Sequence, residues 1–496
     1  MKLLVIGIDG GTKEILEGMP MPFTQALLAT AHSRTLDEDL ISRGWAEALT
    51  GQHAASNKGF YLMPCNDGSY DFSASYSKND MLTASSNPPL WTVLNEKGAS
   101  VGIVNVPTTG PADEVNGFII AGGGGGIKTS GVIPEGMVYP ARYKAILEKN
   151  RYVFDLRLSG ETGVSTFFKK IREAEQVQKD TFIELARETR PDFGFHCFRI
   201  TTEVQYLARY EIDRCMEHIR ECKQQGIDFT PESTVQASII AHYVSLDNSI
   251  KDLFEALQPE SYLFIGDHST ALLQHEGNMD VWLSQRGYLA AYQEPMIFLS
   301  KLKRFARRRI TRLLNLKPTP KAPLIRNPLT RFYTSRTRAF GTFYDTGNFA
   351  GIFINDERFA GPVTASETPA LVDKICSEFN ADPLAARYSL EARPYRQLHD
   401  GEPFQALMPD IKIHKPDSVY FSSRRWAFMV ANPNLKPLEE DLKGIRYPHS
   451  GAKGRDPLFV YSQNLQDFIK PNDPNDLRLV YHLVSRVFDK PGSSPE

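Results

Sequence analysis

Short, mostly apolar runs recur along the chain and stop at glycine, aspartate or proline. "LLVIGIDGG" (3–11), "ASVGIVNVPTTGP" (99–111), "VNGFIIAGGGGG" (115–126), "RPDFGFHCFRI" (190–200) and "YLFIGDHST" (262–270) share this form. Runs this short, with little polar alternation, predict strands buried on both faces, as in a parallel sheet. The intervening segments carry a different period. "NPPLWTVLNEKG" (87–98) has a proline-rich start, helix-spaced leucines and a terminal glycine, and "ASIIAHYVSLDNSIKDLFEAL" (237–257) is amphipathic over its whole length. Helix alternating with strand predicts an α/β fold with a largely parallel central sheet flanked by helices.

The ends of two predicted strands carry groups with chemistry. Asp9 follows the first run, and Asp267 and His268 stand side by side after the last. In parallel sheets, residues just past the carboxyl ends of strands face the crevice where ligands bind. An adjacent Asp and His can give a metal one oxygen and one nitrogen. The structural alternative is an aspartate that caps a following helix, with a histidine exposed beside it.

Composition narrows the classes. At 496 residues the chain has room for two or more domains, or for one core with long insertions. Lys+Arg 57 against Asp+Glu 59 leaves no global field for nucleic acid or an anionic membrane. No run of 18 apolar residues is present, and the apolar part of "MKLLVIGIDGG" is shorter than a signal-peptide core. The five cysteines, Cys65, Cys197, Cys215, Cys222 and Cys376, lack paired spacing. A reducing, cytoplasmic location is therefore expected, and any metal should be held by carboxylates and histidines. Oligomeric state has no readable signal.

Two other features invite specific readings. The glycines at 122–126 lack the Lys-Ser or Lys-Thr that closes a phosphate loop, and are expected to form a permissive loop at the sheet rim. "KLKRFARRRITRLLNLK" (301–317) is expected to be a helix with one solvated face, the alternative being a contact with an anionic surface.

Taken in order, "LLVIGIDGG", "GWAEALTG" (44–51), "PPLWTVLNEKGASVGIVNVPTTGPADEVNGFIIAG", the Asp267-His268-Ser269 turn and "MDVWLSQRGYL" (279–289) resemble the alkaline phosphatase superfamily, in its type I phosphodiesterase/nucleotide pyrophosphatase branch. The likeness is strong over much of 1–130 and 235–290 and thins after about 330. It implies an alkaline-phosphatase-like core over 1–496, a single domain with inserted cap segments at 131–190, 275–340 and 360–440. It also implies one or two divalent ions, zinc or manganese, that neutralise a phosphate ester while a hydroxyl attacks it. By the resemblance Asp9, Asp267 and His268 hold one metal, and His449, in "YPHSGAKGRDPLF", serves the other.

The pattern departs from the family at two places. The second metal's usual Asp and His fall on Thr202 and Tyr206, leaving Glu203 as a substitute ligand and Tyr206 as a substrate contact. The nucleophile position falls on Ile41, with Ser42 next to it. Ser42 is then either the attacking hydroxyl or the N-cap of the helix in "RGWAEALTG" (43–51), and Arg43 is a partner for a phosphate. The function expected is a metal-dependent hydrolase of phosphate esters, a phosphodiesterase, acting on a phosphorylated small molecule. The alternatives are an inactive or one-metal homologue that binds a phosphorylated ligand, and a phosphoryl-group transferase.

Overall fold

Successive side chains of β1 (Leu3–Ile8) enter two different cores. Leu4, Ile6 and Ile8 join one apolar cluster, Leu3 and Val5 another, and the whole strand is buried. This two-sided burial is why the run shows no polar alternation. The structure is a computed structural model and describes residues 1–66, 70, 72–73, 78, 84–122, 133–158, 163–291, 324–325, 332–342, 349–422, 425–442 and 449–489.

The chain divides into two units. The first comprises 1–59, 76–274 and 432–496. Its main sheet contains β1, β2 (His32–Ser33), β3 (Val101–Val104), β4 (Gly117–Ile120), β5 (Val138–Tyr139), β6 (Phe193–Phe198) and β7 (Ser261–Ile265). A small ribbon pairs β8 (Ser269–Leu272) with β9 (Gly451–Gly454), and β10 (Phe459–Tyr461) returns to the main sheet. The main sheet runs β2-β10-β7-β1-β6-β3-β4-β5. From β7 through β4 every pairing is parallel, and the antiparallel pairings lie at the two ends. The sheet is thus largely parallel, as the apolar runs predict.

Helices cover both faces. In order they are α1 (Gly44–Thr50), α2 (Leu90–Glu96), α3 (Val164–Thr189), α4 (Thr201–Gln225), α5 (Thr234–Leu257) and α6 (Arg478–Val487). Phe167 and Ile171 of α3, Val204 and Ile212 of α4 and Ile239 and Ile250 of α5 pack in the cluster that holds Leu4 and Ile6. Trp45 and Leu49 of α1, Leu90 of α2 and Leu483 of α6 pack in the other, with Leu3 and Val5. Full burial of each such side chain contributes about 1.5–3 kcal/mol. α5 starts where Ser233 accepts the Gln236 N–H at 3.2 Å, a standard N-cap role for serine.

The second unit comprises 60–75 and 275–431. It has its own four-stranded antiparallel sheet, in the order Ala339–Gly341, Gly351–Ile354, Ile411–His414, Glu391–Pro394, and the helix Thr368–Asn380. Ile352, Ile354, Ile375, Phe379 and Ile413 share its core. Segment 131–190 belongs to the first unit, where it supplies α3. The basic stretch 301–317 and Gly123–Gly126 lie outside the described residues. Among the described residues no helix is long and apolar enough to cross a membrane.

Candidate metal centre

Strand register brings distant residues to one edge. β1 lies between β6 and β7, with Ile8 opposite Phe198 and Gly7 opposite Ile265. Just beyond those pairs the chain carries Asp9, Arg199, and Asp267 with His268. All leave the sheet at its carboxyl edge, the usual ligand crevice of a parallel sheet.

Asp9, Asp267 and His268 are buried, and each offers a ligand atom within 4.8 Å of the others. Nε2 of His268 lies 3.6 Å from Oδ1 of Asp9 and 3.6 Å from Oδ1 of Asp267. Ligand atoms around a tetrahedral ion with bonds of about 2.1 Å stand about 3.4 Å apart, so the donor set fits a divalent cation. The tautomer also suits it: Nδ1 donates to the Ser269 carbonyl at 2.7 Å, which leaves Nε2 without a proton. The Tyr206 hydroxyl donates to that same Nε2 at 3.0 Å, and the two rings stack with centroids 5.8 Å apart.

Burial sets the protonation states. It raises the Asp9 carboxyl above its ordinary value, and neighbouring Asp267 adds to the effect. It lowers His268 to about 3, helped by the charge of Lys453, so the ring is neutral and able to bind a metal. Burial also holds the Tyr206 phenol protonated.

The first turn of α1 is pinned to these acids. Trp45 Nε1 donates to Oδ2 of Asp9 at 3.2 Å. Gly44 approaches Asp267 so closely that a Cβ there would lie 2.4 Å from its carbonyl oxygen. Leu40 has φ 64°, a left-handed conformation that leucine rarely adopts, and the turn it makes leads directly to Ile41 and Ser42. Ile41 is buried and apolar. Ser42 is buried and does not cap α1, whose N-cap is Arg43 with no side-chain cap bond; its Oγ instead accepts the Ala54 N–H at 2.9 Å, at the start of the short helix Ala54–Asn57. Arg43 lies close enough to Lys453 for its charge to act on that lysine.

The other expected positions are arranged differently from a second ligand set. Glu203 pairs with Nη1 of Arg157 at 2.6 Å and with Nη2 of Arg199 at 3.6 Å, and it is not among the three grouped ligand atoms. Arg199 is buried and bonded to Asp155. Burial alone would lower its pKa, but Asp155, Asp9 and Glu203 outweigh that and keep it a permanent cation. Thr202 is buried in the first turn of α4. His449 stacks on Tyr206, with ring centroids 6.0 Å apart.

Two residues the sequence reading passed over stand in the site. Lys453 is buried on β9 with Nζ 3.8 Å from Oδ2 of Asp267. Burial lowers it to about 8, with Asp267 and Asp9 limiting the fall, so it is mainly protonated at neutral pH. Arg199 is the other. Both lie in segments already marked, four residues past His449 and one residue past the buried run 193–198. For Arg199 the available signal was a basic residue directly beyond an apolar strand.

A family model described as type I phosphodiesterase/nucleotide pyrophosphatase matches residues 3–330. Among solved structures, phosphonoacetate hydrolase from Sinorhizobium meliloti 1021 in complex with phosphonoformate is similar at a TM-score of 0.54 and 11% identity, over 99% of this chain and 96% of that one. The same enzyme with phosphonoacetate gives 0.51 at 10% identity, over 99% and 96%. Human ectonucleotide pyrophosphatase/phosphodiesterase 5 gives 0.48 at 10% identity, over 98% and 95%. No curated protein matches the chain by sequence.

Proposed function

The chain belongs to the type I phosphodiesterase/nucleotide pyrophosphatase family, and we propose that it is a metal-dependent hydrolase of phosphate esters, specifically a phosphodiesterase. The observation that carries this reading is the buried Asp9–Asp267–His268 group at the carboxyl edge of the sheet. These three residues would hold a divalent ion, zinc or manganese, whose charge offsets that of the ester and lowers the pKa of an attacking hydroxyl. Ser42 is the proposed nucleophile. Its oxygen bonds to phosphorus as the ester's bond to its alcohol breaks, the Ser42 proton leaves with that alcohol, and water then cleaves the phosphoserine. Arg43 and Tyr206 are the proposed contacts for the phosphoryl oxygens. The five cysteines, none of them bridged, support a reducing compartment such as the cytoplasm.

The test is hydrolysis of bis(p-nitrophenyl) phosphate and of p-nitrophenyl phosphate by protein loaded with zinc or manganese, before and after chelation. Diester turnover abolished by chelator supports the proposal. Absence of turnover on either ester with metal bound would overturn it. A second reading has its own support in the Ala54 N–H seated on Ser42 Oγ, a structural role that needs no substrate. In that case the protein is a one-metal binder of a phosphorylated ligand.

A further inference from the structure

Thr202 and Tyr206 stand four residues apart near the start of α4, a spacing that puts their side chains on one face of the helix. Thr202 is 1% exposed, and among the described residues its Oγ1 has no hydrogen-bond partner. A buried hydroxyl in that state is costly until a ligand or a water takes it up. It borders the metal group. A Cβ on Gly10, the residue after Asp9, would lie 3.0 Å from Thr202 Oγ1, and the Gly10 N–H donates to Oδ1 of Asp267 at 3.4 Å. Thr202 is also near enough to act on the Tyr206 phenol, although the two hydroxyls make no hydrogen bond.

Tyr206 differs from Thr202 in having a partner, since its hydroxyl donates to His268 Nε2 at 3.0 Å. That nitrogen has one lone pair, and a metal held by Asp9, Asp267 and His268 needs it. The metal therefore displaces the Tyr206 proton. The phenol ring stays in place, because it stacks on His268 with centroids 5.8 Å apart and on His449 with centroids 6.0 Å apart. The displaced O–H is then a donor beside the ion.

We propose that Thr202 and Tyr206 form a hydroxyl pair that receives oxygens of the phosphate group, and that metal binding arms the pair by taking His268 from Tyr206. This inference rests on the reading of Asp9, Asp267 and His268 as the metal ligands. Before the ion arrives, two carboxylates repel an anion. The ion offsets their charge and frees the Tyr206 donor in one event, so the metal binds first and the anion second. Glu203, between the two hydroxyls in sequence, does not oppose the anion freely, since Arg157 and Arg199 hold its carboxylate. The amino end of a long helix favours negative charge as well. Tyr206 thus competes with the metal and assists the anion, whereas Thr202 assists the anion alone.

The experiment is calorimetric titration of the full chain with Mn²⁺, and with inorganic phosphate in the presence and absence of saturating Mn²⁺. It compares wild type with Tyr206→Phe, Thr202→Val and Thr202→Ser, each checked for folding by circular dichroism. Phosphate should bind wild type about tenfold or more tightly once Mn²⁺ is present. Tyr206→Phe should bind Mn²⁺ as tightly as wild type or more so, and Thr202→Val should leave Mn²⁺ affinity unchanged. Each should lower phosphate affinity by about tenfold or more, the usual worth of a hydrogen bond to a charged group, while Thr202→Ser keeps it close to wild type. Phosphate affinity unchanged in either Tyr206→Phe or Thr202→Val would overturn the inference, as would phosphate binding that ignores Mn²⁺. Weaker Mn²⁺ binding or a lost ion in folded Tyr206→Phe would also overturn it, by making Tyr206 a metal ligand. Binding as expected in a protein that hydrolyses no diester leaves this inference standing and removes the proposed function. Metal-dependent diester hydrolysis with phosphate affinity unchanged in the two variants does the reverse.

Discussion

Ser450 completes a rung of helix α4 that the helix does not make itself: its Oγ accepts the Tyr210 N–H at 3.0 Å. Its own N–H donates to the Tyr206 carbonyl, also at 3.0 Å. Those two groups would pair with each other in a regular helix, and Ala208 between them is non-helical, with φ −119° and ψ 20°. Gly451 follows, where a Cβ would lie 2.5 Å from the Gln205 carbonyl oxygen. The crossing strand is therefore seated in the kink, and it carries Lys453 to Asp267.

This seat has a measurable worth. Ser450→Ala leaves the Tyr210 N–H without its acceptor, and an orphaned group of this kind costs about 1–3 kcal/mol. Denaturant unfolding should show that loss. Unchanged stability would mean that the kink is held by something else.

Metal binding should depend on the three grouped residues. Asp267→Asn and His268→Ala are each expected to weaken Mn²⁺ by more than about 100-fold, beyond the 10–100-fold typical of residues that only orient a ligand. Glu203→Gln should leave the number of bound ions unchanged. Elemental analysis after gel filtration distinguishes these results, and a lost ion in Glu203→Gln would return Glu203 to the ligand set.

Ser42 has two possible roles with separable readouts. As nucleophile, Ser42→Ala should lose at least about 10³-fold in kcat, in line with nucleophile deletions elsewhere. As the acceptor for Ala54 N–H alone, the change costs about 1 kcal/mol of stability and spares turnover. Measuring both on one preparation decides between them.

A pH effect should come from a pair away from the metal. Burial raises Glu38 to about 8, and Glu47, bonded to it, is raised well above its ordinary value as well. The folded state thus holds a proton that the unfolded chain releases above about 4.5. The stabilising contribution is full below about 4.5 and is lost as pH rises toward 8. Glu38→Gln can still accept the Leu477 N–H that Glu38 takes at 2.6 Å, and it carries no titrating proton. Its stability relative to wild type should rise by on the order of a few kcal/mol between pH 5 and pH 8. Parallel pH profiles for the two proteins would count against the shared proton.

Asp9, Asp267 and His268 were legible because each directly follows a buried strand, so a local pattern marks a place in three dimensions. The central parallel strands were legible for the same reason. The antiparallel strands β2, β5 and β10 have only two or three residues, too few to repeat a period. Lys453 stayed hidden because its neighbour His449 carries the more familiar chemistry, and only the pairing of β9 with β8 brings Lys453 beside Asp267. The second unit is built from 60–75 together with 275–431, a union that no contiguous pattern announces.

The place of β1 in the middle of the sheet carries a cost during synthesis. It is synthesised before either of its two partners, which begin at Phe193 and Ser261. At 5–20 residues per second, β1 waits on the order of ten to forty seconds with both hydrogen-bonding edges unpaired. For that interval an uncharged strand is a template for aggregation. Yield of this chain should thus respond to translation rate and to chaperone supply more than a fold built from local contacts would.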